Sequence, residues 1–251
     1  MTKYLYIPLI LISLVTISFS SSQRDSFVFT QIQYDGNWNP YPSFWSEVHK
    51  FLNTQTNLQP IKQARTITLD NNLLFSSPFI CITGDSQMPN LTKKEIANLR
   101  KFIQSGGLLL VNDSGLSRNS PFLESVRFNL RKILPEYHVR KIADTHALYK
   151  SFYLINFIGG RSLKSNSLEG IFINGNLRVI ICQNDIFAPW INDKQNNPVY
   201  ECIPHGNLQR KEAKKLTTNI IVFSVTGTYK EDILHKPYLD QKLYDYFKTK
   251  E

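Results

Sequence analysis

Cysteine is scarce in this 251-residue chain: Cys81, Cys182 and Cys202 are all there is. An odd count excludes a complete disulfide framework of the kind that staples small secreted domains. Cys81 and Cys182 fall inside apolar runs, where a thiol packs as a small hydrophobe. Cys202 lies in a proline-bearing loop and is either a free thiol or half of a bridge. Repeats, low-complexity tracts and long linkers are missing too, so nothing divides the chain after its first residues. There is no G-x-S-x-G elbow and no evident Cys–His pair, which removes two signatures of nucleophilic hydrolysis. The formal charge is +9, but the basic residues come in scattered pairs: Lys93-Lys94, Arg131-Lys132, Arg140-Lys141, Arg210-Lys211 and Lys214-Lys215. A nucleic-acid binder concentrates charge on one face or stripe. Solvated faces fit this pattern better, so no nucleic acid is expected, and only weak attraction to anionic surfaces remains.

What is present begins with an apolar leader. Residues 4–19 carry no charge, follow Lys3, and give way to Ser20-Ser21-Ser22 before the chain turns polar at Gln23. That is the pattern of a secretory signal, and it is short of the roughly 20 apolar residues a membrane span needs. Residues 1–22 are expected to be a signal peptide cleaved near Ser20 or Ser22, an uncleaved anchor being the alternative. No cysteine stands at its end, which argues against lipoprotein processing. The mature protein would be exported, periplasmic or extracellular, without a stable membrane span. With 42% hydrophobic residues, residues 26–247 can form one domain with a sizeable core.

The organising stretch is Gly106-Gly107-Leu108-Leu109-Leu110-Val111-Asn112-Asp113-Ser114-Gly115. Glycines release a helix, four apolar residues follow without a break, and turn residues end the run. A strand buried on both faces of a parallel sheet reads this way. Similar strands are expected over Ser26–Gln33, Ala64–Leu69 and Phe79–Thr83, with a hairpin from Gly170 into Leu177–Cys182. Helical spacing marks Phe44–Leu52, Ile96–Ile103 behind a capping box at Thr92 and Glu95, and Pro121–Leu134. Ile220-Ile221-Val222-Phe223 is apolar throughout, and periodicity cannot tell helix from strand there. A helix to about Val225, with Gly227 beyond its end, is expected. Alternating strands and helices imply an α/β three-layer sandwich: a mostly parallel, flavodoxin-like sheet flanked by helices.

In such sheets ligands sit outside the carboxyl ends of the strands. Four predicted strands are each followed within a few residues by an aspartate: Asp35, Asp85, Asp113 and Asp185. A lone aspartate there often caps the next helix, for about 1 kcal/mol. Four on one rim would recruit a cation, hold a proton or bind a polar ligand. Arg118 and His146 are candidate counter-charges, and Tyr34, Trp38, Gly84, Asn112, Ser114, Asn184 and Trp190 complete the candidate rim. Ser114 stands where a nucleophile could emerge, and His146, in a loop after an acidic residue, is the acid–base candidate. The spacing contains no dedicated loop of oxygen ligands, so neither metal nor cofactor is assigned.

Tyr34-Asp35-Gly36-Asn37-Trp38-Asn39-Pro40, Pro78–Gly84, Gly106–Asp113, Gln183-Asn184-Asp185 and Asn219–Gly227 together resemble the bacterial domain of unknown function 4159. The resemblance spans roughly Phe27 to Lys236. It implies a flavodoxin-like fold similar to the class I glutamine amidotransferases, and a helix for the Asn219 stretch. Those enzymes place a cysteine nucleophile at a strand-to-helix elbow; here the comparable turn offers Asp113 and Ser114, so their chemistry does not carry over. Relatives that sit near membrane proteins with von Willebrand-type domains imply a cell-envelope setting. The expected function is therefore an exported envelope domain that holds a small polar ligand or a protein partner at the rim. The alternative is a hydrolase of sugars or amides, with Asp113 or Asp185 as general base and His146 as its partner.

Overall fold

The computed structural model describes residues 27–230. The expected signal peptide and the last residues of the expected domain lie outside them. The elements run β1 (Thr30–Ile32), α1 (Phe44–Gln55), β2 (Arg65–Ile67), β3 (Phe79–Gly84), α2 (Lys93–Gln104), β4 (Leu108–Asp113), α3 (Pro121–Ile133), β5 (Arg140–Lys141), β6 (Glu169–Ile173), β7 (Asn176–Cys182) and α4 (Gly206–Lys230). They build one seven-stranded sheet in the order β2-β1-β3-β4-β7-β6-β5. β2, β1, β3, β4 and β7 are parallel, while β6 is antiparallel to both of its neighbours, β7 and the short edge strand β5.

The unbroken apolar runs are explained by covering on both faces. Along β4, Leu108 and Leu110 belong to one core and Leu109 and Val111 to the other; β3 alternates in the same way, as does β7 from Val179 to Cys182. α1 and α4 cover the first face, and α2 and α3 the second. α2 opens on the Thr92–Glu95 capping box, and α3 on Ser120, whose hydroxyl accepts from the Leu123 amide. The hairpin between β6 and β7 turns at Asn174 and Gly175, both with positive φ, the conformation a tight two-residue turn requires.

One expectation changes. α4 does not stop at Val225 but continues through Gly227 to Lys230; one helical glycine costs only about 1 kcal/mol against alanine. Of the two alternatives for Cys202, the structure shows the free thiol, and all three cysteines are free and buried. No helix among the described residues is long and apolar enough to cross a membrane.

Candidate functional site

The chain leaves β1 toward α1 on one face and β3 toward α2 on the other, so the connections part between these two strands. Crevices of this kind, outside the carboxyl ends, are where doubly wound sheets bind ligands. Register fixes the neighbours, with Gly84 opposite Asp113 and Asn112 opposite Cys182. The four aspartates thus end strands on one rim, but they do not share an environment. No group of three or more His, Cys, Asp or Glu side chains among the described residues is placed to hold a metal ion.

Asp113 is buried and consumed internally. Its carboxylate accepts from the Ser120 hydroxyl at 2.8 Å and the Gly115 amide at 3.1 Å, and the Lys164 ammonium stands 2.6 Å away. Lys164 also donates to the Gly115 carbonyl at 2.7 Å. Such a pair offsets its desolvation only when geometry and extra hydrogen bonds are good, and both conditions are met. Lys164, not Arg118, is the counter-charge; Arg118 is exposed.

Asp185 is wholly buried in a second network. Tyr41 donates to Oδ2 at 2.5 Å, while Asn112 and the Phe187 and Ala188 amides donate to Oδ1. Burial pushes its carboxyl above the usual range, although Tyr41 and Asn112 favour the ionised form. Tyr41 is pushed up in turn by burial and by the neighbouring carboxylate. Asp185 has φ +57°, a left-handed conformation that persists only when its surroundings over-determine it. Here the Arg161 amide holds its carbonyl at 2.8 Å, beside the four side-chain bonds.

Asp35 and Asp85 are exposed. Asn37 donates to Asp85 at 2.8 Å, tying the β1 loop to the β3 loop across the crevice. Tyr34 donates to the Thr83 carbonyl at 3.0 Å and stacks on Phe122. Its hydroxyl fills the space that a Cβ on Gly84 would need, 2.1 Å away. Beside it opens a cavity of about 470 Å³ lined by Gln33, Tyr34, Asp35, Thr68, Asn90 and Glu95, with Pro89 and Leu91. Trp38 is half-buried, and Gln31 donates to its carbonyl at 2.7 Å.

Other candidates stand elsewhere. His146 packs edge-on against Phe172 and Phe223, and Phe172 lies opposite Leu177 near the amino end of β7. It is therefore at the far end of the sheet from the rim, capping a short 3-10 turn and lowered in pKa by burial. Trp190 is core: it is 1% exposed and its indole donates to Thr217 at 3.1 Å. Ser114 is buried, and its hydroxyl meets no hydrogen-bond partner among the described residues. Asn184 is also structural. Its side chain donates to the Ile158 and Ser165 carbonyls and accepts from the Lys164 and Ser165 amides.

That bonding exposes what sequence reading missed. The segment from Ser151 to Ser167 runs along α4 and over the ends of β7 and β4. Polar residues buried on α4 hold it: Asn219 binds Phe152 and Tyr153, Glu212 binds Asn156, and Gln209 binds the Gly160 carbonyl at 2.6 Å. Its Lys164 closes the rim over Asp113. The one available signal was the polar face of α4, which reads as solvated until a loop is known to lie against it.

Sheet order, helices on both faces and a carboxyl-end crevice define a three-layer α/β domain with a mostly parallel sheet. Residues 28–225 match the model of the domain of unknown function DUF4159, and the chain belongs to that family. No curated protein matches the chain.

Proposed function

We propose that the chain is an exported cell-envelope binding domain that recognises a small polar ligand or a partner loop at the crevice between the β1 and β3 loops. The observation that carries this reading is the division of the four rim aspartates. Asp113 and Asp185 are buried and fully engaged, whereas Asp35 faces a cavity of about 470 Å³ with Tyr34, Gln33 and Asn90. An open carboxylate among amide and hydroxyl groups suits a ligand rich in hydroxyls or carrying an amine. The hydrolytic alternative loses its partner, because a general base and its acid must lie within hydrogen-bond reach and His146 packs at the other end of the sheet.

Backbone amide NMR shifts, followed while sugars, amino sugars and polyamines are titrated in, test the reading. A ligand of the rim shifts residues 33–38, 68 and 85–91 and loses affinity at least tenfold in Asp35→Ala. A ligand that shifts only residues away from this crevice, or binds Asp35→Ala equally well, overturns it.

A further inference from the structure

The opposite end of the sheet differs sharply in charge. Segments 56–65, 76–79, 100–107, 131–138 and 173–178 bring seven lysines and arginines to the amino ends of the parallel strands, against one acid. That acid, Glu136, is already paired with Arg100. At the carboxyl-end rim, segments 33–43, 68–72, 84–95, 113–121, 158–168 and 183–206 carry eight acids against six lysines and arginines. Read along the sequence the basic residues look scattered; the fold gathers those at the ends of α2 and α3 onto one end.

Apolar side chains are exposed at that end as well. Phe75 is 41% exposed with the Lys101 ammonium 5.2 Å from its ring, and Phe128 is 43% exposed with Lys132 at 4.0 Å. Ile61 is 40% exposed beside the exposed Lys62. Both ends of the described chain lie here too. Phe27 accepts from the Ile61 amide, and the last turns of α4 reach His146 and Phe172 through Phe223. Exposed aromatics each flanked by lysine form the pattern of a surface that lies on lipid headgroups, with rings at the acyl boundary and ammonium groups at the phosphates.

We infer that this amino-end face docks peripherally on anionic phospholipid, which turns the carboxyl-end rim away from the membrane. Lipid is favoured over nucleic acid by the exposed Phe75, Phe128 and Ile61, which phosphodiester backbones do not reward. The proposal does not rest on the rim reading and stands or falls separately.

Sedimentation of the full chain with vesicles tests it, comparing neutral phosphatidylcholine with vesicles containing 30% phosphatidylglycerol as roughly the anionic fraction. The wild type binds the anionic vesicles more tightly, and the difference shrinks at high salt. Lys101→Glu/Arg131→Glu/Lys132→Glu loses about tenfold or more of the anionic-vesicle affinity. Lys93→Glu/Lys94→Glu, at the other end of α2, loses less than about twofold, and Phe75→Ser/Phe128→Ser weakens binding with charge unchanged. Melting curves confirm that each variant is folded. Equal binding to neutral and anionic vesicles, equal losses in the two charge variants, or duplex DNA that binds this face more tightly than the vesicles do, overturns the proposal.

Discussion

The Asp113 carboxylate and the Lys164 ammonium meet at 2.6 Å, with side chains 1% and 4% exposed. One ends β4 and the other belongs to the segment that crosses the rim, so the contact fastens a long connection to the centre of the sheet. Removing one member leaves a buried charge unanswered, at roughly 3–5 kcal/mol. Lys164→Met is predicted to lose that much in urea denaturation, and Asp113→Asn added to it to regain part of the loss. Additive losses in the double variant would contradict this.

Asn184 is the second fastening. Four hydrogen bonds join it to Ile158, Lys164 and Ser165. Asn184→Ala is predicted to cost roughly 2–4 kcal/mol, because buried backbone groups lose their partners. Hydrogen exchange should quicken over residues 158–167 while β3 and β4 stay protected. Unchanged exchange in that segment would show it to be held by something else.

The acid limb of the stability curve reports on Asp185. Burial raises its carboxyl above the ordinary 3.8 of a free aspartate, so the folded state binds its proton more tightly than the unfolded chain does. Its contribution is then fully present below about pH 3.8 and declines as pH rises through the raised native value. Compared with Asp185→Asn, the wild type should hold its largest advantage at the acid end of the range over which both remain folded, and the gap should narrow toward neutrality. A gap that widens as pH rises means that the hydrogen bonds from Tyr41 and Asn112 outweigh burial.

Thiol reactivity follows from burial. Cys182 is pushed up to about 12 and Cys81 well above its ordinary range, both by desolvation, and Cys202 is raised by the same cause. Reaction needs an accessible thiolate. A chromogenic disulfide reagent should therefore meet no fast thiol in the folded protein and three on denaturation. A rapidly reacting thiol under native conditions would place one of these cysteines at the surface.

Much of the fold was legible in the sequence because apolar runs and caps are local signals. Leu108–Val111, released by two glycines and stopped by turn residues, reads as a strand covered on both faces, and Thr92 with Glu95 reads as the start of a helix. The ends of the strands were legible too, and with them the positions of Asp35, Asp85, Asp113 and Asp185. Their division into buried and open pairs was not, because it depends on Lys164 and Tyr41, which lie 51 and 144 residues from the groups they meet. Asn219, Glu212 and Gln209 were illegible for a related reason. A polar residue on a helix looks solvated until the backbone it serves is packed against it. His146 and Trp190 show the converse, since suggestive residue types beside a site carry no information about which end or face they occupy.

The division between structural and available carboxylates is tested most directly by measuring the unfolding free energies of Asp35→Ala and Asp113→Ala side by side. Asp35→Ala is expected to match the wild type within error, while Asp113→Ala, which strands Lys164, is expected to lose roughly 3–5 kcal/mol. A destabilised Asp35→Ala together with an Asp113→Ala as stable as the wild type would contradict it.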